Sequence, residues 1–317
     1  MKINEVIVNG KYAMVFPGQG SQAKGMLSAL ANEYPTVQET FAEASSVLGY
    51  DLWKLVQENP DGKLDQTIYA QPALLAAGVA LWRVWNFKCK VLPVYVAGHS
   101  LGEYTALVCA GALTFNEAVG LVAKRGEFMQ GATSNVGGMV AIVGLSDQLI
   151  EKVCQLAAVD GSLSVANYNS IGQTVLAGTL AEITEAVRLA KLEGAKLAKI
   201  LPISVPSHCK LMLPAAAKLK EALQEVTISV PKLAVIHNVD VALHSKPDEI
   251  REALVDQLCA PVRWVETIQF LVNHQLERIL ECGPGKVLTG LNNRIASEID
   301  ADFIGNPEKI RAYAGDC

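Results

Sequence analysis

A serine lies in a pentapeptide typical of a nucleophile elbow. Residues 98–102 read Gly-His-Ser-Leu-Gly and fit the pattern Gly-x-Ser-x-Gly. In that pattern a sharp turn between a strand and a helix exposes the serine, and the glycines let neighbouring backbone approach closely. Free N–H groups at the start of the following helix can stabilise a developing oxyanion. Ser100 is therefore a candidate nucleophile for attack on a carbonyl carbon.

A serine nucleophile requires a base, and the chain contains five histidines. His208 follows the turn at residues 205–207, at an expected domain junction, and loops at such junctions often face a ligand cleft. The other four lie in the elbow, in an apolar strand and in two polar segments expected to be solvated: His99, His237, His244 and His274. The residues favour His208 as the base without excluding the others.

No acidic residue completes a catalytic triad by its position. Elbow hydrolases carry serine, acid and histidine in that chain order. The acids between Ser100 and His208 fall mostly on predicted helices of another unit, and no motif marks Asp240 or Asp256 further on. A backbone carbonyl can also fix the tautomer of an imidazole. A dyad with a carbonyl partner is therefore an alternative to a triad.

Arg125 is a second candidate for a role in chemistry. Thr114 and Glu117 form a capping box that predicts a helix to about residue 130. Arg125 falls on the apolar stripe of this helix, four positions before Met129. An unpaired buried charge is very unfavourable, so Arg125 needs a structural ion pair, a position at the stripe edge or a substrate carboxylate. Its place one helix beyond the elbow helix favours the carboxylate.

The turn at residues 17–20, Pro-Gly-Gln-Gly, follows the first predicted strand. A backbone N–H of such an early loop is the usual second donor of an oxyanion hole in elbow enzymes. The alternative is a plain strand-to-helix turn. Gly18 and Gly20 lack the third glycine of a dinucleotide fingerprint, so the turn does not indicate a nucleotide site.

The elements around these residues alternate between strands and helices, which predicts a parallel sheet covered by helices. The last fifteen residues show no strong periodicity and are expected to be loosely held. The predicted strands are residues 11–16, 91–97, 233–238 and 278–281, and the predicted helices are residues 35–47, 72–85, 103–110, 210–226 and 247–258.

A second unit interrupts this alternation. Its predicted order is βαββαβ, the ferredoxin-like order, with strands at 139–143, 163–167, 174–178 and 196–203 and helices at 146–158 and 181–193. We therefore expect a large α/β-hydrolase-like domain from residues 1–131 and 205–317. A small ferredoxin-like domain, residues 132–204, is inserted in it, with linkers at 131–137 and 202–206.

Composition excludes several classes of protein. The chain has 317 residues and a net charge of −5, and it has no basic block, which argues against a nucleic-acid partner. Its longest apolar stretch, residues 73–82, is too short to span a bilayer, and no apolar leader is read at the N-terminus. The seven cysteines include no C-x-x-C pair, so neither disulfides nor zinc are expected and a reducing cytoplasm fits.

Eight short motifs occur in one order along the chain: FPGQGSQ at 16–22, QPAL at 71–74, GHSLGEY at 98–104, RG at 125–126, NYNS at 167–170, VPSH at 205–208, PVRW at 261–264 and ECGPG at 281–285. Together they resemble the malonyl-CoA:acyl carrier protein transacylases of type II fatty acid synthesis. The resemblance extends from about residue 12 to about residue 293, and the set of motifs is far more specific than the elbow alone.

The resemblance implies a role for each catalytic position. Ser100 would be the acylated nucleophile and His208 the base, oriented by the backbone carbonyl of Gln257. The N–H groups of Gln19 and Leu101 would form the oxyanion hole.

The resemblance also implies the substrate-binding positions. Arg125 would bind the malonyl carboxylate, and Asn167 would line the opposite wall of the cleft. Further substrate-binding positions are His99, Gln71 and Met129.

The implied activity is a two-step transfer of malonyl from coenzyme A to the phosphopantetheine thiol of acyl carrier protein, through an ester at Ser100. We expect no metal, no cofactor besides the substrates, no membrane or nucleic-acid partner, and a monomer in the cytoplasm. The alternatives are a serine esterase or thioesterase, a non-catalytic module that binds a carrier protein, and a separate enzyme that loads a polyketide carrier protein.

Overall fold

The computed structural model describes residues 10–132, 137–159, 161–203 and 205–314. Residues 133–136 of the first expected linker and residue 204 of the second lie outside these ranges, as do residues 1–9 and 315–317. The expectations for the two linkers and for both chain ends are therefore tested only in part.

Nine strands and thirteen α-helices occur in the described ranges. The strands are β1 (Gly10–Phe16), β2 (Pro93–Gly98), β3 (Gly137–Val143), β4 (Ser164–Ser170), β5 (Gln173–Thr179), β6 (Leu197–Ile200), β7 (Ala234–Ile236), β8 (Arg278–Glu281) and β9 (Asp300–Phe303). The helices are α1 (Ser28–Glu33), α2 (Thr36–Leu48), α3 (Leu52–Glu58), α4 (Thr67–Lys88), α5 (Gly102–Cys109), α6 (Phe115–Ala132), α7 (Asp147–Ala157), α8 (Leu180–Leu192), α9 (Leu213–Gln224), α10 (Pro247–Asp256), α11 (Trp264–Asn273), α12 (Val287–Ile295) and α13 (Pro307–Ala314).

Five strands form a parallel sheet in the order β7-β2-β1-β8-β9. The central strand β1 is buried on both faces, because Met14 and Phe16 enter one hydrophobic core while Ala13 and Val15 enter the other. A strand covered by helices on both sides has no solvent face, which explains its continuous apolar sequence. Helices including α2, α4, α6 and α9 cover one face, and α11 and α12 cover the other.

Four strands form a separate antiparallel sheet in the order β4-β5-β3-β6. Helices α7 and α8 pack on it through a core that includes Ile150, Val153 and Ile183. Its strand β4 is joined to the rest of the molecule by backbone hydrogen bonds between Tyr168 N–H and the Val262 carbonyl, 3.0 Å, and between Val262 N–H and the Ala166 carbonyl, 2.9 Å. The expected α/β fold, with one parallel and one separate sheet, is confirmed.

Some elements differ from the sequence-based expectation. Helix α4 begins at Thr67, so Pro72 lies inside the helix instead of at its start. The helices α11, α12 and α13 were not predicted. The expectation of a loosely held C-terminus is wrong for residues 303–314, because Ile304 and Ile310 are fully buried. An eight-residue helix is too short to show a convincing apolar period.

The cysteines also depart from expectation. Cys89 is disulfide-bonded, whereas the sequence predicted no disulfide. The absence of a C-x-x-C pair does not exclude a disulfide, because bond formation depends on the distance between the two cysteines in the fold. Within the described ranges, no helix is long and apolar enough to cross a membrane.

The close contact between α5 and β1 predicts that two glycines differ sharply in how they tolerate substitution by alanine. A Cβ added at Gly102 would lie 2.0 Å from the Phe16 carbonyl oxygen, whereas one at Gly290 in α12 would meet nothing within 4 Å. We expect Gly102→Ala to destabilise the protein by about 1–3 kcal/mol or more through overpacking. Gly290→Ala, the matched control, should be neutral or stabilising, because alanine favours helix. Thermal unfolding measures both, and a wild-type melting temperature for Gly102→Ala would contradict this view of the contact.

Candidate active site

The elbow holds Ser100 in an unusual backbone conformation. Its φ is 52°, in the left-handed region that non-glycine residues rarely adopt. A Cβ at Gly98 would lie 1.8 Å from the carbonyl carbon of Gly102, so the turn requires glycine there. Asn238 stabilises the turn, because its Oδ1 accepts the Ser100 N–H at 2.7 Å and its Nδ2 donates to the Gly98 carbonyl at 2.6 Å. Strain of this kind persists only where surrounding contacts enforce it.

The hydroxyl of Ser100 is paired with His208. The Nε2 atom of His208 lies 2.8 Å from Ser100 Oγ, and its Nδ1 lies 2.7 Å from the backbone carbonyl oxygen of Gln257. A carbonyl oxygen can only accept, so Nδ1 carries the proton and Nε2 is left to accept the serine proton. In the described ranges no carboxylate lies within 4.0 Å of this imidazole, and Asp240 binds His244 instead. The arrangement is a dyad with a carbonyl partner.

The other four histidines make different contacts. His237 is buried and bonded to Glu103 at 2.7 Å. His99 bonds Asn169 at 2.8 Å, and His274 is exposed. His244, expected to be solvated, has a side chain only 20% exposed. None of their ring nitrogens is bonded to Ser100 Oγ, so the geometry selects His208.

Arg125 is buried beside the nucleophile. It is 1% exposed, and its Nη1 donates to Gln71 Oε1 at 2.8 Å. Its Nη2 donates to Gln257 Oε1 at 3.0 Å and lies 3.4 Å from Ser100 Oγ. In the described part of the chain no acidic oxygen lies within 4.0 Å of the guanidinium, which rules out a direct ion pair there. A buried cation with only neutral partners is suited to bind an anion.

Nine of the ten predicted site residues line one cleft: Gln19, Gln71, His99, Ser100, Leu101, Arg125, Met129, Asn167 and His208. The tenth, Gln257, lies behind the cleft wall and contacts His208 and Arg125. Asn167 comes from β4, so both sheets contribute to the cleft.

Within the described ranges, the cleft contains two unpaired backbone N–H groups and one side-chain amide with a fixed position. The backbone N–H groups of Gln19 and Leu101 donate to no atom of the described chain, so both are available to a ligand. The amide of Gln71 is held between Arg125 and the sulfur of Met129, 3.3 Å from its Nε2.

Burial and charge set the protonation of the base. Desolvation, followed by the positive charge of Arg125, lowers the pKa of His208 to about 3. His208 is therefore neutral at neutral pH and can accept a proton. Burial also lowers the pKa of His99.

Sequence reasoning missed Asn238 and Asn169 and gave Glu103 no role outside its motif. A signal for Asn238 was present, because it follows strand β7 at the edge where β2 leads into the elbow. The carboxyl ends of parallel strands meet at one edge of a sheet and commonly form its binding site. Asn169 lies in the NYNS motif at 167–170, but no role was inferred for it from the sequence.

Comparison with known proteins agrees with this geometry. A family model described as "Acyl transferase domain" matches residues 13–295. The chain is 50% identical to a malonyl CoA-acyl carrier protein transacylase of Salmonella typhimurium over 303 residues, 95% of this chain and 98% of the relative. The chain belongs to the acyl transferase domain family and, within it, to the malonyl CoA-acyl carrier protein transacylases.

Solved structures of malonyl-transacylases are also similar to this chain. A malonyl CoA-acyl carrier protein transacylase from Coxiella burnetii superposes with a TM-score of 0.94 at 48% identity, covering 97% of this chain and 98% of that one. A type II PKS acyl-carrier protein in complex with its malonyl-transacylase matches with a TM-score of 0.94 at 47% identity, covering 96% and 99%.

The lowered pKa of His208 predicts an unusual pH profile. Only the neutral imidazole accepts the Ser100 proton, and a pKa well below the ordinary value keeps it neutral in mild acid. The rate constant for sulfonylation of Ser100 by phenylmethylsulfonyl fluoride should therefore stay nearly flat between about pH 5 and 8. Ser100→Ala controls for reaction elsewhere. A fall centred near pH 6.5, the ordinary value for histidine, would contradict the lowered pKa.

Proposed function

We propose that this chain transfers a malonyl group from coenzyme A to the phosphopantetheine thiol of acyl carrier protein, through an ester at Ser100. The observation that carries the proposal is the buried guanidinium of Arg125, 3.4 Å from Ser100 Oγ. It lies where a short acyl group on the serine would present its free carboxylate. The relatives named above, which are called malonyl CoA-acyl carrier protein transacylases, support the same substrates.

In the first half-reaction, His208 Nε2 takes the Ser100 proton as Oγ attacks the thioester carbonyl. The N–H groups of Gln19 and Leu101 hold the oxyanion of the tetrahedral intermediate. When this collapses, the carbon–sulfur bond breaks and His208 returns the proton to the departing thiolate of coenzyme A. The seryl ester remains.

The second half-reaction is the reverse with a new thiol. His208 removes the proton of the phosphopantetheine thiol, whose sulfur attacks the ester carbonyl. The bond to Ser100 Oγ breaks, and Oγ recovers its proton from His208. One thioester is replaced by another, so the reaction needs no energy source, metal ion or cofactor besides the two thiol carriers.

Arg125 would select the acyl group. A charge-assisted pair between its planar guanidinium and the malonyl carboxylate is geometrically specific. A buried cation is unfavourable beside the alkyl chain that a general esterase or thioesterase would bind. The intact Ser100 and His208 pair argues against a non-catalytic binding module.

A second candidate acceptor is a polyketide carrier protein. One similar structure is described as a type II PKS acyl-carrier protein bound to its malonyl-transacylase, and its identity of 47% is close to that of the other relatives. The chemistry at Ser100 would be the same. Comparing the transfer rate to carrier proteins of the two pathways separates these acceptors.

The finer architecture is also part of the proposal. The strand order β4-β5-β3-β6, with α7 and α8 on one face, supports a ferredoxin-like small domain at residues 132–204. The parallel sheet with a strand–elbow–helix unit supports an α/β-hydrolase-like large domain formed by residues 1–131 and 205–317.

The nucleophile can be tested by intact mass. Mixing the protein with malonyl-CoA, without carrier protein, should add one malonyl group. Ser100→Ala should remove this adduct, because the elbow at residues 98–102 contains no other hydroxyl or thiol. Cys209, next to His208 in sequence, is the control site to inspect by peptide mapping. An adduct that persists in Ser100→Ala would refute the assignment of the nucleophile.

Arg125→Ala tests the selection of the acyl group. A charge-assisted hydrogen bond contributes roughly 1.5–3 kcal/mol, and each 1.4 kcal/mol is about tenfold, so kcat/KM for malonyl-CoA should fall about 10–100-fold. Acetyl-CoA, which has no free carboxylate, should be spared or used better. Arg125→Lys should restore the malonyl rate only in part.

The matched control is Arg83→Ala. Arg83 is held by Glu43 at 2.7 Å and does not line the cleft. Its removal should leave the malonyl-to-acetyl ratio unchanged. If Arg125→Ala lowers kcat/KM equally for malonyl-CoA and acetyl-CoA and also lowers thermal stability, Arg125 is structural and the carboxylate is bound elsewhere.

A further inference from the structure

Glu103 is a fully buried carboxylate in the first turn of α5, three residues after the nucleophile. Its Oε1 is bonded to His237 Nδ1 at 2.7 Å. Its Oε2 accepts the Asn238 N–H at 3.0 Å and the Gln257 Nε2–H at 2.7 Å. A buried carboxylate is retained only where hydrogen bonds or charges compensate its lost hydration. The side chain does not line the cleft and contacts no reacting atom.

The partners of Glu103 lead to each of the three functional groups of the site. Asn238 accepts the N–H of Ser100 at 2.7 Å. The backbone carbonyl of Gln257 accepts Nδ1–H of His208 at 2.7 Å. The side-chain Oε1 of Gln257 accepts Nη2–H of Arg125 at 3.0 Å. One carboxylate is therefore a single residue away from the nucleophile, the base and the buried cation.

The carboxylate also fixes which way the Gln257 amide faces. A carboxylate only accepts hydrogen bonds, and a guanidinium only donates them. The amide satisfies both with Nε2 toward Glu103 and Oε1 toward Arg125, while Nε2 also donates to the Ser100 carbonyl at 3.1 Å. The reversed amide would place donor against donor at Arg125 and acceptor against acceptor at Glu103.

The charges of Glu103 and Arg125 also favour a link between these two residues. The guanidinium of Arg125 and the carboxylate of Glu103 are both fully buried and are separated by one amide group. Two opposite buried charges stabilise each other even without direct contact, because the protein interior screens them weakly. Glu103 thus compensates the cation without direct contact, so no anion is bonded to the guanidinium within the described ranges.

We propose that Glu103 is the positioning residue of this site. Through Asn238 and Gln257 it holds Ser100, His208 and Arg125 in one arrangement, by the two hydrogen bonds that its Oε2 accepts. Only the part of this inference that concerns malonyl selection by Arg125 rests on the proposed function. The part that concerns Ser100 and His208 holds for any reaction at this serine.

The experiment compares Glu103→Ala and Glu103→Gln with the wild type. Alanine removes the acceptor, whereas the glutamine carbonyl can accept the same two hydrogen bonds without the charge. The control is Glu182→Gln in α8. Glu182 is another buried carboxylate, and its hydrogen-bond partners Ser162, Thr179 and Val159 do not line the cleft.

Two readouts are measured on protein shown to be folded. The first is the rate constant for sulfonylation of Ser100 by phenylmethylsulfonyl fluoride, which requires no acyl donor. The second is the malonyl-to-acetyl ratio of kcat/KM. Glu103→Ala should slow sulfonylation about 10–100-fold, since small misplacements of reacting groups have effects of this size, and should lower the ratio. Glu103→Gln should recover sulfonylation to within about fivefold of wild type.

A purely structural role predicts another pattern. Glu103→Ala would then lose thermal stability as Glu182→Gln does, yet its folded fraction would react with phenylmethylsulfonyl fluoride and select malonyl like wild type. That result would overturn the proposal, as would equal losses in Glu103→Ala and Glu103→Gln. If the wild type is sulfonylated but never malonylated, the proposed function fails. The sulfonylation rates of the Glu103 variants then still test the positioning role of Glu103.

A second variant keeps the test decisive if Glu103→Ala does not fold. Gln257→Met retains the backbone carbonyl that holds His208 but removes the amide between Glu103 and Arg125. We expect the malonyl-to-acetyl ratio to fall, because Arg125 loses one of its two amide partners, with a smaller effect on sulfonylation. An unchanged ratio in folded Gln257→Met would contradict the link from Glu103 to Arg125.

Discussion

A buried positive charge within reach of the nucleophile is the constraint on which the rest of this site depends. A guanidinium removed from water needs compensation, and Arg125 receives it from two side-chain amides and from the carboxylate of Glu103 one amide away. Its guanidinium also lies over the Tyr104 ring, 5.3 Å from the centroid. None of these groups is an anion in direct contact, so the cation is stabilised without being neutralised. The cleft can therefore hold a charged acyl group.

The parallel sheet supplies the geometry that this chemistry needs. Strand β1 leads to the Gln19 turn, β2 to the elbow and β7 to Asn238, all at the same edge of the sheet. The buried central strand anchors these loops on a rigid core, and the hydrogen bonds of Asn238 to Ser100 and Gly98 join two of them. The close approach of Gly102 to β1 then orients α5 so that Leu101, the residue before the helix, lines the cleft while Glu103 lies behind the cleft wall.

Local signals of the sequence pointed to two residues of the candidate site. A pentapeptide with its flanking strand and helix identifies Ser100, and a charge on an apolar stripe identifies Arg125. The residues alone left His208 among five histidines, and Gln257 came from family resemblance, because a backbone carbonyl has no residue-type signature. The hydrogen bonds of Glu103 to Asn238 and Gln257 span more than 130 positions, so no spacing rule could find them. Helix α11 was missed although its buried residues Trp264, Thr267, Ile268 and Leu271 recur at helical spacing, whereas α12 and α13 are too short to show a convincing period.

If the substrate carboxylate binds at Arg125, its binding is coupled to the strength of the base, because the charge of Arg125 acts on His208. Burial lowers the pKa of His208 first, and the charge of Arg125 lowers it further. A malonyl carboxylate paired with Arg125, as proposed, would offset that second effect, so the pKa of the imidazole would be higher in the malonyl-CoA complex than in the free enzyme. An acyl group without a carboxylate would leave the effect of this charge on His208 unchanged. Selection for malonyl would therefore arise in the rate of the chemical step as well as in binding, and only interactions that differ between ground and transition state raise that rate.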